Sequence, residues 1–421
     1  MVARGTETLG REWNWLGPLA RRYLGAHQGS VRPRQRDVVH FLRKDRRFRD
    51  ACEKHWQQLT VASWLAGNSV MQPVAAAKSW PVPPLESVGA LASWLGVNVS
   101  ELEWFADARG TLQRQKSLGS LGHYNYHFIT KKTGSVRLVE APKPFLKRLQ
   151  RQILESILDQ VPIHAACHGF VQGRSILSFA EPHAGKPFVL RMDLKDFFPS
   201  IGCARVQALF RTMGYPESVA DLLGGLCTTA APRCLWHGLR GKMEGVPLRA
   251  LQDLYGTRHL PQGAPTSPAL ANLCAYRLDC RLAGFAKEMK ATYTRYADDL
   301  AFSGGEELRR CSLRFSVQVG AIALEEGFAV NFRKTRAMGQ SSRQHLAGLV
   351  VNQKLSVARE DFDRLKAILT NCVRHGAESQ NREAHPAFRE HLLGRVGFVA
   401  MVHPARGARL RALWDRIDWI V

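Results

Sequence analysis

Acidic side chains are scarce in this chain. Its 421 residues hold 36 Asp and Glu against 59 Lys and Arg, a formal charge of +23 with a pI near 10.1. A surface short of carboxylates attracts polyanions directly and through release of their counterions, so nucleic acid is the expected partner. An anionic membrane would suit the same charge, but no apolar run reaches the ~18 residues that a span needs, and the N-terminus lacks an apolar signal-peptide stretch. The expectation is a soluble, cytoplasmic protein with no membrane partner. CxxC pairs are missing too. The nine cysteines are odd in number and scattered, which speaks against a disulfide framework, and Cys227, Cys234 and His237 lack a fourth ligand at a zinc spacing. Repeats of roughly 20–50 residues and low-complexity tracts are absent.

What is present suits a globular protein of two or three domains, with 45% hydrophobic residues. Residues 1 to about 110 read as helical and differ in character from the rest. Within them, Arg32 to Arg49 alternates arginines with Val38, Val39, Phe41 and Leu42, a pattern open to two readings: an RNA-contacting helix or a solvated helix face. Prolines 73, 81, 83 and 84 mark an irregular connection, and Leu85 to Phe105 returns to helical spacing with Asn98 or Ser100 as a cap. From Tyr124 the pattern becomes two strands, YNYHFIT and SVRLVEAP, around a KKTG turn. Arg137 on the second arm, then Lys143, Lys147, Arg148 and Arg151 on a helix, place cations where they can hold phosphates.

Three later stretches carry chemistry. Thr294 to Ser303, TRYADDLAFS, alternates with period two on both sides of Ala297, Asp298 and Asp299, so it reads as a hairpin with two carboxylates at its tip. Adjacent like charges repel unless a cation neutralises them; a bare acidic pair fits a solvated turn or a metal site. FVLRM is a buried-strand run ending at Asp193, which can project from a sheet edge toward a cleft. Asp196 falls on the other side of the following turn and reads as a structural acid. Pro199 and Ser200 then cap a helix bearing Val206, Leu209, Phe210 and Met213. LPQGAPTSPALAN is a loop feeding a helix, with Ser267 at the cap and Pro268 at the first helical position; Gly263, beside Gln262, lets backbone approach a ligand closely. Phe328 to Phe332 reads as a strand with Lys334 after it, and His345 to Val357 as a hairpin turning at Asn352 and Gln353. Helices close the chain. Asp193 with the adjacent pair Asp298 and Asp299, a basic body and hard oxygen donors together suit two Mg²⁺ ions and phosphoryl transfer.

The ordered set PKPFLKRLQ, HGFVQGRSI, MDLKDFFPSI, LPQGAPTSPALAN, YADDLAFSG, Lys334 and LAGLVVN resembles bacterial reverse transcriptases of the retron type over roughly residues 120 to 405. The resemblance implies an α+β right-hand polymerase with fingers, a palm sheet and a helical thumb, preceded by an N-terminal helical region. The expected divisions are 1–115, a basic region binding RNA or a partner; 116–345, fingers and palm; and 346–421, a primer-grip hairpin and thumb. It implies that Asp193, Asp298 and Asp299 bind two Mg²⁺, with Mn²⁺ as a substitute. Phe198 would gate the nucleotide sugar, Arg137 would grip the triphosphate, and Gln262 and Gly263 would line the nucleotide pocket. Lys334 would protonate pyrophosphate, although a plain surface lysine explains it as well.

Retron enzymes also carry NAxxH and VTG segments tied to recognition of their own RNA. Here these are FAEPH and LAG, which keep His183 and Gly348 and lose the Asn, Val and Thr. The implied activity is RNA-directed DNA synthesis from dNTPs on a cognate structured non-coding RNA, giving an RNA-linked single-stranded DNA. A role in antiphage defence with a separate effector protein is implied as well. The alternatives are another bacterial reverse transcriptase, of group II intron or defence type, or a non-catalytic RNA-binding scaffold in a toxin–antitoxin-like complex.

Overall fold

The computed structural model describes residues 2–26, 35–62, 70–112, 119, 121–130, 136–237 and 248–419. The KKTG turn and the first residues of the arginine-rich segment, Arg32 to Arg34, lie outside the described residues. The chain opens with helices α1 (Val2–Thr8), α2 (Leu16–Ala26), α3 (Gln35–Lys44) and α4 (Arg46–His55). Asp45 caps α4 by accepting from the Phe48 N–H at 2.7 Å, and Arg22 of α2 forks the same carboxylate at 2.7 and 2.8 Å. α5 (Val88–Leu95) and α6 (Val99–Phe105) follow, the second started by a reciprocal capping box between Asn98 and Glu101. Their Leu91, Leu95 and Leu102 are buried in the same core as the central sheet, so this stretch packs as part of the main body.

β1 (Tyr124–Thr130) and β2 (Val136–Pro142) form an antiparallel hairpin, succeeded by α7 (Pro144–Ser156) and α8 (Ile176–Ala180). β3 (Phe188–Lys195) leads to α9 (Cys203–Thr212), α10 (Glu217–Cys227), α11 (Arg233–His237), α12 (Leu248–Tyr255), α13 (Ser267–Cys274) and α14 (Tyr276–Glu288). β4 (Thr292–Tyr296) and β5 (Asp299–Gly304) form the expected hairpin. After α15 (Glu306–Glu325) come β6 (Ala329–Val330), β7 (Arg336–Gly339), β8 (His345–Leu346), β9 (Leu349–Val350), and the helices α16 (Arg359–His375), α17 (Phe388–Val402) and α18 (Pro404–Trp414). The central antiparallel sheet runs β4-β5-β3-β6, with β7 also paired to β3. Helices and sheet are mixed, the central strands coming in βαββαβ order (β3, α9 to α14, β4, β5, α15, β6) with each paired neighbour antiparallel, an α+β architecture.

Period-two alternation divides β3 between two environments. Phe188, Leu190, Met192 and Leu194 enter the large helix-covered core, joined by Leu300 and Phe302 of β5 and Tyr293 of β4. On the other face Val189 and Ala301 join Phe179, Met338, Leu346 and Leu349 in a smaller core. Asp193 and Asp299 continue that second face past the edge of this small core. The sheet thus carries an apolar underside and a face that turns polar at one end.

Three local expectations differ by a few residues. The cap of α9 is Gly202, without a side-chain bond, because the Ser200 hydroxyl donates to the Phe197 carbonyl at 2.8 Å. Thr266 rather than Ser267 precedes α13; the Ser267 hydroxyl bonds back to the Pro261 carbonyl at 2.7 Å. The tight turn after His345 falls at Ala347 and Gly348, which both adopt positive φ, 46° and 85°, as a two-residue hairpin turn demands. Asn352 and Gln353 lie in a second bend, closed by the Val350–Ser356 bridge.

Candidate active site

Asp193 and Asp299 are direct cross-strand partners, so their side chains leave the same face of the sheet. Asp298 is the next residue along the turn, reached through Ala297 at φ +55°, and its carbonyl accepts the Leu194 N–H at 2.8 Å. That bond ties the hairpin tip to the end of β3. Two like unit charges about 4 Å apart cost on the order of 4 kcal/mol at an effective dielectric of about 20, so such a grouping needs cations. Lys334 supplies one, its Nζ donating to both Asp193 oxygens at 2.9 and 2.8 Å. Its position is set by the strand itself: the Asn331 N–H bonds the Asp193 carbonyl at 2.7 Å, and the Lys334 N–H bonds the Asn331 carbonyl at 3.0 Å. Arg191, two residues before Asp193 on the same face, donates to Asp299 from Nε at 3.0 Å and Nη2 at 2.8 and 3.2 Å.

No cation pairs with Asp298 among the described residues. Burial, then the charges of Asp193 and Asp299, push its carboxyl above the ordinary range. Burial also raises Asp299, against the opposing pull of Arg191. As they stand, the described residues gather no three acid, His or Cys side chains into a ligand cage; Lys334 and Arg191 occupy two of the acids. The donor set nonetheless suits Mg²⁺, being hard carboxylate oxygen with one acid unneutralised.

Beneath the tip lies a pair that sequence reading took as a plain hairpin arm. Arg295 is fully buried; its Nε and Nη2 fork Asp279 of α14 at 2.7 Å each, and its Nη1 holds the Asn272 side chain at 3.0 Å and the Ala297 carbonyl at 3.1 Å. The Tyr293 hydroxyl donates to Asp279 at 2.8 Å. An arginine on an otherwise buried strand is the signal that could have found it, since a buried charge requires a partner.

The remaining predicted residues are spread around this centre. Arg137 is exposed on β2. That strand is stitched to the glycine loop by the Glu140 N–H, which bonds the Gln262 carbonyl at 2.8 Å. Gly263 sits at φ +132°, where a Cβ would stand 3.0 Å from the Glu140 carbonyl, so glycine is required there. Gln262 keeps a buried Oε1 without a partner among the described residues. Phe198 is half-buried, its ring centroid 6.2 Å from Phe170. Lys147 and Arg148 are exposed on α7, Arg148 over the ring of Phe145, while Lys143 is half-buried at the start of that helix. Gly348 borders a cavity of about 550 Å³ shared with Asp361, Glu390, His391 and Arg395.

His183 corrects the sequence reading. It is fully buried, with Nδ1 2.7 Å from the Ser303 hydroxyl and Nε2 2.8 Å from that of Thr294. The Thr294 proton goes to the Phe179 carbonyl at 2.9 Å, so Nε2–H donates to Thr294 and Ser303 donates to Nδ1. Burial depresses this imidazole to about 3. His183 is a neutral clamp across β4 and β5, out of reach of a nucleic-acid phosphate.

Residues 129–351 match the family described as reverse transcriptase (RNA-dependent DNA polymerase). The retron Mx65 and Mx162 reverse transcriptases of Myxococcus xanthus are similar. The first is 41% identical over 76% of this chain and 69% of its own length, the second 39% identical over 79% and 67%. The retron Ec86 reverse transcriptase of Escherichia coli is 31% identical over 70% of this chain and 81% of its own length. The chain belongs to the reverse transcriptases, enzymes that are RNA-directed DNA polymerases, and is of their retron type. No described helix is long and apolar enough to cross a membrane.

Proposed function

We propose that this polymerase copies a cognate structured non-coding RNA, primes from an RNA 2′-OH, and leaves a single-stranded DNA joined to that RNA (msDNA), acting in antiphage defence with a separate effector. The observation that carries the chemistry is the cross-strand pairing of Asp193 with Asp299 beside Asp298. In the reaction the priming hydroxyl loses its proton to solvent, its oxygen bonds the α-phosphorus of a dNTP, the bond to the β-phosphate breaks, and pyrophosphate leaves. Bound at Asp193, Asp298 and Asp299, two Mg²⁺ ions would lower the hydroxyl's pKa and neutralise charge on the leaving oxygen.

The chain's own groups do the rest. Arg191 orients Asp299, and Lys334 Nζ lies within 2.9 Å of Asp193, placed to donate to pyrophosphate. Phe198 narrows the space under the sugar, Arg137 offers a guanidinium to the triphosphate, and the Gln262–Gly263 backbone lines the base pocket. Lys143, Lys147 and Arg148 hold template phosphates. Gly348, at an exposed turn facing α16 and α17, is placed for the cognate RNA. In this reading residues 116–345 are fingers and palm, 346–421 carry the primer-grip hairpin and thumb, and 1–115 bind RNA or a partner.

Primer extension on an RNA template with dNTPs and Mg²⁺ tests the chemistry; activity surviving Asp298→Ala with Asp299→Ala rejects it. Sequencing of co-purified nucleic acid tests the product. A branched RNA–DNA species supports the proposal, and a heterogeneous RNA pool without it counts against the proposal.

A further inference from the structure

Phe170 combines three properties that do not ordinarily occur together. Its backbone is left-handed, φ +59°, a region bulky L-residues avoid. Its side chain is 53% exposed. Its ring centroid lies 6.2 Å from Phe198 and 6.3 Å from Tyr296, tilted 52° and 38° to them, so neither ring covers its face.

The conformation is imposed from below. The His168 N–H bonds the Arg295 carbonyl and the Arg295 N–H the Ala166 carbonyl, both at 2.7 Å, which lays this segment along β4. The Gly169 carbonyl accepts from the buried Asn272 side chain at 2.8 Å, and a Cβ on Gly169 would stand 2.4 Å from the Ala297 nitrogen. With Gly169 pressed onto the catalytic turn, residue 170 must turn outward. Glycine would take that φ freely, yet a phenylalanine stands there with an open face. Strain of this kind persists where function needs it.

We propose that Phe170 is a stacking platform for a nucleobase with a free face at the reacting end of the RNA–DNA hybrid, either the primer-terminal base or the first unpaired template base. Every base has a π-face, so an aromatic ring holds the hybrid without reading its sequence. The inference rests on the polymerase reading and adds a binding residue to its site.

The test uses the full chain and an RNA-template, DNA-primer hybrid with 2-aminopurine at the primer terminus in one version and at the first unpaired template base in another. Wild type quenches one probe, and which one identifies the stacked base. Phe170→Gly abolishes the quenching and weakens hybrid binding by about 5- to 150-fold, the range for losing one base–aromatic stack, with the thermal midpoint unchanged or raised because glycine relaxes the backbone. Phe170→Trp restores both signals. Unchanged binding in Phe170→Gly, quenching of neither probe by wild type, or a fall in thermal midpoint alongside binding overturns the proposal, the last by showing a packing role. Wild type that binds the hybrid and extends it while Phe170→Gly binds equally well sinks this inference alone. Wild type that binds no hybrid sinks the polymerase reading with it.

Discussion

Asp193 and Asp299 face each other across β3 and β5, while Asp298 follows a residue held in left-handed conformation. Repulsion among the three falls hardest on Asp298, which has burial and two neighbouring charges raising its pKa. A raised folded-state pKa means that the fold is least stable where the carboxyl is ionised, above its ordinary range, and gains as pH falls through the folded value. Asp298→Asn should therefore raise the thermal midpoint of the metal-free protein. Mg²⁺ at about 100 times its dissociation constant should stabilise wild type by about 2.7 kcal/mol and the variant by much less. Primer extension by the variant should fall by more than the ~10- to 100-fold typical of losing a residue that only supports a metal ligand. Scanning calorimetry with and without Mg²⁺ checks the first two, and a midpoint lower than wild type without metal contradicts them.

Lys334 holds Asp193 from a half-exposed position, a class of ion pair worth ~0.2–1 kcal/mol. Lys334→Met should tighten Mg²⁺ binding by no more than about fivefold while lowering kcat. Calorimetric Mg²⁺ titration alongside single-turnover extension separates the effects. Weaker Mg²⁺ binding in the variant would show that Lys334 supports the ion site instead of competing for it.

Arg295 and Asp279 form a buried pair whose disruption leaves one charge uncompensated. Asp279→Asn should cost about 3–5 kcal/mol in urea denaturation, and pairing it with Arg295→Met should recover part of that loss. The double variant should still extend primers poorly, because the Ala297 carbonyl and Asn272 lose the guanidinium that holds them.

His183 should give stability its acid limb. Its folded pKa near 3 lies below the ordinary value of 6.5, so the unfolded chain binds the proton first as pH falls. The contribution is complete above about pH 6.5 and lost toward pH 3, at a slope of about 1.4 kcal/mol per pH unit. His183→Gln should be less stable at pH 7.5 and lose less on acidification to pH 5, with urea midpoints as the readout. Parallel acid slopes for the two proteins would remove His183 from the account.

Much of the site can be read from the chain alone because its signals are local. Period-two alternation around Asp298 and Asp299, the apolar run ending at Asp193 and the glycine at 263 each follow from backbone geometry over a few residues. Residue order alone sets which acids sit at strand ends and tips, and makes the body basic enough for nucleic acid. Which faces those acids share, and what neutralises them, follows from the packing of segments far apart in the chain. Arg191 looked like part of a buried run, Arg295 like a hairpin arm, and His183 like an RNA contact, because burial and partners more than a hundred residues away, such as Asp299 for Arg191 and Thr294 for His183, depend on how distant segments pack. Pairing energies of that kind arise only after the chain has closed those loops, so no local pattern records them.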